Sequence, residues 1–156
     1  MKFLFASDSF KGSLSSGRTA ELLTQAAEEI FPGCECESLE VADGGEGTVK
    51  ALLSALNGRR INVSVCGPLW EQHTACYGAL DEYRAVMEMA AASGLPLVPE
   101  ALRDPRNTTT YGTGEMIRDA LERGFRDISI AIGGSATNDG GIGCMRALGG
   151  RFLDEN

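Results

Sequence analysis

Apolar and polar residues follow two different periods along the chain, and the points where the period changes mark its elements. Residues 2–6 are an apolar run that reads as a short buried strand. A helix is predicted over residues 16–30, where Ala20, Leu23, Ala27 and Ile30 share one face before Pro32-Gly33 stops the run. A weaker strand covers residues 36–42. In the next helix Val49, Leu52, Leu53 and Leu56 fall at i, i+3, i+4 and i+7, and Asn57-Gly58 ends it. The order strand, helix, strand, helix is that of a parallel sheet with crossover helices.

Beyond residue 60 the period shortens to two. Ile61, Val63 and Val65 alternate with polar residues, Gly67-Pro68 breaks the chain, and strand-like runs at about 73–79 and 83–89 flank a turn at Leu80-Asp81-Glu82. This reads as an antiparallel insertion. A loop over residues 96–113 leads to a helix at about 114–123, closed by Gly124, and residues 128–132 form another apolar strand. A short helix then ends at Gly149-Gly150, and Arg151-Phe152-Leu153 reads as the opening of a strand. An unfinished strand leaves a sheet edge uncovered, so the natural protein is expected to be longer.

Composition narrows the class. With 43% apolar and 23% charged residues the chain has the balance of a soluble globular domain. Its 20 glycines are roughly twice the usual share and cluster where strands run into helices. A formal charge of −8 with no basic stripe argues against nucleic acid. Anionic ligands would need locally placed cations and amides. Cys34, Cys36, Cys66, Cys76 and Cys144 match no C-x-x-C pair or zinc set, and they read as reduced, buried thiols of a cytoplasmic protein. No run of 18 apolar residues suggests a membrane span.

Three loops of Gly, Ser, Thr, Asp or Asn each join a predicted strand to a predicted helix, at residues 8–13, 43–48 and 133–141. If the three strands are parallel in one sheet, the loops share the rim where open α/β sheets bind ligands. Helix N-termini there suit phosphate or carboxylate. The competing reading is ordinary N-capping with glycine in tight turns, and Asn caps about as well as Asp. Residues 108–114 form a fourth hydroxyl-rich helix start open to the same two readings.

Several familiar sites are disfavoured. The P-loop pattern fails because Lys11-Gly12-Ser13 reverses its order, and no G-x-G-x-x-G or G-x-S-x-G occurs. His73 lies in the β insertion and reads as a surface strand residue. Carboxylates remain: Asp8, Asp43, Glu46 and Asp139 sit in the glycine-rich loops, where a phosphoryl transferase needs oxygen ligands for Mg²⁺ and a carboxylate to orient the attacking hydroxyl. Lys11 would neutralise a phosphate oxygen. A metabolite sensor without turnover is the competing class, but it gains nothing from carboxylates beside an anion unless a metal bridges them.

Five segments together resemble a known family. Asp8-Ser9-Phe10-Lys11-Gly12-Ser13, Ala42-Asp43-Gly44-Gly45-Glu46-Gly47-Thr48, Glu88-Met89-Ala90-Ala91-Ala92-Ser93-Gly94-Leu95, Thr109-Thr110-Tyr111-Gly112-Thr113-Gly114-Glu115 and Gly133-Gly134-Ser135-Ala136-Thr137-Asn138-Asp139-Gly140-Gly141 occur in the order and spacing of the bacterial glycerate kinases that form 2-phosphoglycerate. The resemblance implies an α/β fold in which a Rossmann-like parallel-sheet domain is interrupted by a swivelling β/β/α domain, with substrate in the cleft between them. Residues 1–66 would begin the first domain and residues 67–156 the inserted one. It further implies ATP and Mg²⁺, D-glycerate as acceptor, and a 156-residue piece too short to turn over alone. A homo-oligomer is left open.

Within the motifs, Asp43, Asp139, Lys11 and Asp8 are the expected catalytic residues, with Asp43 and Asp139 on Mg²⁺. Ser9, Gly44, Gly45, Glu46, Gly47, Gly133, Gly134, Ser135, Thr137 and Asn138 are the expected binding residues.

Overall fold

The computed structural model describes residues 1–10 and 13–153 and is mixed α/β, as the periodicity requires. The chain separates into two compact units, Met1–Asp43 and Gly44–Asn156. No helix among the described residues is long and apolar enough to cross a membrane.

In the first unit β1 (Lys2–Phe5) pairs in parallel with β2 (Glu35–Ser38), and α1 (Ser16–Ile30) is the crossover between them. Ser15 caps α1, its side chain accepting from the Arg18 amide at 3.2 Å. Of the predicted apolar face, Ala20 and Ala27 are buried, whereas Leu23 is 40% and Ile30 69% exposed. A two-stranded sheet is too narrow to cover the whole stripe of a 15-residue helix.

The second unit opens with α2 (Thr48–Leu56) and a four-stranded sheet ordered β3 (Arg59–Cys66), β4 (Gln72–Ala79), β5 (Arg84–Glu88) and β6 (Asp127–Ala131). β3, β4 and β5 run antiparallel in sequence, and β6 adds to β5 in parallel. Gly67-Pro68 lies in the β3–β4 turn. The expected β insertion is therefore present, but β6 belongs to this sheet and not to that of β1 and β2. Among the described residues the three strands therefore do not lie in one sheet.

The second turn forms because Asp81 accepts from the amides of Tyr83 and Arg84 at 2.8 and 2.7 Å and from Arg84 Nε at 2.6 Å. Those donors hold its carboxyl down at about 2, the Tyr83 amide having the largest effect.

Two 3-10 turns (Leu95–Leu97, Glu100–Leu102) follow the one-turn helix α3 (Ala90–Ser93), and α4 (Tyr111–Glu122) packs across β3 and β4. Ile61, Val65, Tyr77, Met87, Met116 and Phe125 form the core between helix and sheet. The alternation of β3 puts Ile61 and Val65 inside, as read from the sequence. The short α5 (Ile142–Ala147) packs on α4, and Arg151–Leu153 take no regular structure, contrary to the strand expected there. The five cysteines are free thiols, half-buried and not fully buried as expected. His73, also half-buried on β4, shares a hydrogen bond of 3.0 Å with the Ala91 carbonyl.

Tyr77 is the largest wholly buried core residue, and its hydroxyl donates to Asp119 Oδ2 at 2.7 Å. Burial first, then that hydrogen bond and the Asp119 charge, hold the phenol well above its ordinary value. A folded-state value raised in this way favours the protonated phenol. Its stabilising contribution is complete below the unfolded value of about 10 and is lost as the pH rises past it. Tyr77→Phe is expected to cost about 1 kcal/mol at pH 7. In urea titrations the gap between parent and variant should narrow above about pH 10, and a gap constant through that range would mean that the Tyr77 hydroxyl does not couple folding to alkaline pH.

Candidate functional site

Two of the three glycine-rich loops meet in the second unit. The Gly133 amide donates to the Gly44 carbonyl at 2.9 Å, and a Cβ on Gly133 would lie 2.7 Å from Gly45 Cα, so only glycine permits this approach. Gly44 and Gly47 have φ of 90° and 96°, which turns the chain sharply into α2. The Gly134 carbonyl accepts from the Leu95 amide and the Ala136 amide donates to Ser93, so the third loop is stitched to the segment after α3 as well. The Gly133 amide, expected to face a ligand anion, is engaged by the protein itself.

The same is true of the helix starts. At α2 the cap residue is Gly47, without a side chain, and the Val49 amide donates instead to Glu88 Oε1 at 2.8 Å from the end of β5. Glu88 lies at the end of β5, outside the glycine-rich loops, and was not among the expected site residues. Its signal was there, because it opens the third of the five segments that resemble the family.

Asp139 does this for α4 and α5 together. Its Oδ2 accepts from the Thr110 amide at 2.9 Å and the Gly143 amide at 3.1 Å, its Oδ1 accepts from the Gly141 amide at 2.9 Å, and both oxygens lie about 3 Å from Thr110 Oγ1. Thr110 Oγ1 in turn accepts from the Cys144 amide at 2.9 Å. Gly143 is packed so tightly against Thr109 Oγ1, Asp139 Oδ2 and the Tyr111 amide that no side chain fits there. Burial is the strongest single influence on Asp139 and raises its pKa, but the Thr110, Gly141 and Gly143 donors together outweigh it and hold the carboxyl below its usual value. The hydroxyl-rich start at residues 108–114 thus receives an anion, and that anion is Asp139.

The other predicted residues divide into those engaged in structure and those left open. Ser135 Oγ donates to the Thr137 carbonyl at 2.9 Å, and Thr137 Oγ1 donates to the Thr108 carbonyl at 2.8 Å. These bonds hold the loop in place. Glu46 and Asn138 are exposed, and their side chains make no hydrogen bond or ion pair among the described residues. In the first unit Asp8 is exposed and accepts from the Ser9 amide at 2.7 Å, a local turn. Asp43 is also exposed, while Lys11 lies outside the described residues.

Mg²⁺ tests poorly against this donor set. Among the described residues no three His, Cys, Asp or Glu side chains gather as ligands, and the lone pairs of Asp139, one of the two expected ligands, are already taken by protein donors.

Beside Glu46 a cleft of about 500 Å³ runs between α2 and the sheet, lined by Lys50, Arg60, Cys76 and Glu88 among others. A second concavity, about 390 Å³, lies over the Asp139 hub.

Comparison with known proteins places these features. A family model described as the glycerate kinase family matches residues 3–156. A protein of Bacillus subtilis (strain 168) named glycerate kinase is 54% identical over the whole of this chain, and one of Escherichia coli (strain K12) named glycerate 2-kinase is 50% identical. In both, the alignment covers 41% of the relative's length, so the chain spans about two-fifths of these proteins. A crystal structure from Salmonella typhimurium LT2, named as a candidate glycerate kinase 2, superposes with a TM-score of 0.80 at 51% identity, over 99% of this chain and 42% of that one.

Proposed function

The chain belongs to the glycerate kinase family, and from that premise we propose that its parent protein transfers the γ-phosphoryl group of ATP to a hydroxyl of D-glycerate in the cytoplasm, giving 2-phosphoglycerate. In this step the bond from the γ-phosphorus to the ADP oxygen breaks, a bond to the glycerate oxygen forms, and the hydroxyl proton passes to a carboxylate or water. Such transfers depend on positioning and charge more than on covalent help from the protein. The observation that carries the reading is the junction of residues 44–47 with residues 133–134, which leaves Glu46 and Asn138 free beside it.

On this reading the residues take new roles. Glu46 orients the glycerate hydroxyl or accepts its proton, and Asn138 donates to the substrate carboxylate. Asp139, Ser135, Thr137 and Gly133 shape the loop that presents them. Asp8, Ser9, Lys11 and Asp43 keep their assignment to substrate in the first unit. The described carboxylates do not assemble a metal site.

Glu46→Gln in the full-length protein tests this. Its carboxylate has no partner among the described residues, so the thermal melt should stay at the parental value while kcat for ADP formation with glycerate falls at least ~10²-fold. A variant with parental kcat would pass the role to another carboxylate.

A further inference from the structure

The concavity over the Asp139 hub is lined by residues that the glycerate reading does not use: Trp70, Arg106, Asn107, Ile142 and Arg146. Trp70 is the sole tryptophan of the chain, 58% exposed at the tip of the β3–β4 hairpin. It has a φ of 69°, a left-handed conformation that is strained for a non-glycine residue. Bonds from the Trp70 amide to the Gly67 carbonyl and from the Gly67 amide to the Glu71 carbonyl hold it there. Tyr111 braces the indole, with ring centroids 5.5 Å apart at 42°. A strained backbone thus presents a large aromatic ring to solvent, fixed by a second ring.

Two arginines line the same concavity. Arg106 is paired with Asp104 at 2.8 Å and its side chain is 86% exposed. Arg146, on the exposed side of α5, has no hydrogen bond or ion pair from its side chain among the described residues. The Asp139 carboxylate also borders the space, but its oxygens face the Thr110, Gly141 and Gly143 donors. In a chain of net charge −8, an unpaired arginine beside an aromatic face suits a ligand that is planar at one end and anionic at the other. The volume of about 390 Å³ is in the ~300–1,000 Å³ range of clefts for ligands far larger than a three-carbon acid.

We propose that this concavity binds the nucleotide, the purine stacking on Trp70 and the phosphate chain meeting Arg146 and Arg106. The inference deepens the kinase reading and rests on it for the identity of the ligand as ATP. Loop 133–141 then serves both substrates, since Asn138 is assigned to one and Asp139 lines the site of the other.

The test uses the full-length protein and its Trp70→Ala, Trp70→Phe and Arg146→Met variants, with ATP, adenosine and inorganic tripolyphosphate titrated calorimetrically. Trp70→Ala should weaken adenosine and ATP at least tenfold while Trp70→Phe, which keeps a ring, loses much less. Arg146→Met should weaken tripolyphosphate and ATP at least tenfold and leave adenosine unchanged. In kinetics KM for ATP should rise in both and KM for glycerate should not. ATP binding indifferent to Arg146→Met and to either Trp70 change would overturn the site even if glycerate is still phosphorylated. ATP binding with this signature but no glycerate turnover would overturn the kinase reading and leave the site. Arg146 is exposed and unpaired, so its variant decides the matter should Trp70→Ala not fold.

Discussion

Asp139→Asn is expected to lower the unfolding free energy of the protein by about 2 kcal/mol, and Asp139→Ala by more, because the carboxylate joins α4 to α5. Whichever way the Asn amide is turned, its NH₂ group faces a backbone N–H. With oxygen at the Oδ2 position the Gly141 amide is orphaned; with oxygen at Oδ1 the Thr110 and Gly143 amides are. Each buried donor left without an acceptor costs about 1–3 kcal/mol, and the lost charge weakens whatever bond survives. Asn is therefore not equivalent to Asp at this position, although it is at an ordinary N-cap.

The pH dependence has a fixed sign. Asp139 is held below its ordinary value in the fold, so its contribution is complete above the unfolded value of about 3.9 and fades as the pH falls through the lower, folded one. Chemical denaturation at pH 7 should separate parent from variant, and the separation should shrink below about pH 4. If Asp139→Asn keeps the parental midpoint and loses only kcat, the carboxylate acts on substrate and the structural role assigned to it is wrong.

The second large effect concerns activity. The 156-residue chain alone is expected to give no glycerate-dependent ADP formation, while a protein of its relatives' full length does. The chain spans about two-fifths of those relatives, and its described residues gather no metal-binding cluster. Holding two substrates in reacting geometry contributes ~7–11 kcal/mol to lowering a barrier, so an incomplete site forfeits many orders of magnitude in rate. A coupled assay for ADP on both proteins, purified from a host lacking its own glycerate kinase, measures this. Turnover by the short chain at even a hundredth of the full-length rate would place the whole catalytic site within these residues.

Much of this molecule is local in origin and could be read from residue order. The helix at 16–30 follows from its apolar period and the stop at Pro32-Gly33. The β3 alternation put Ile61 and Val65 in the core, and Asp81 marked its turn because a carboxylate two or three residues before an N–H can close it. The family too was legible, as a resemblance: five segments stand in the order and spacing of its motifs.

Other features needed the tertiary structure. Asp8, Asp43, Glu46 and Asp139 look alike in a string, but only packing brings Thr110, Gly141 and Gly143 around the last of them and leaves Glu46 exposed. Glu88 caps a helix that begins 40 residues earlier, a pairing that no local period encodes. β6 left the predicted parallel sheet for β5 because sheet partners are chosen by long-range fit of buried faces, and Leu23 and Ile30 stayed exposed for the same reason. Residue order determined which chemical groups were present and which stretches could form elements. Whether a carboxylate serves the fold or faces a ligand was decided by the donors that distant segments bring to it, because a group's free energy depends on its neighbours in space.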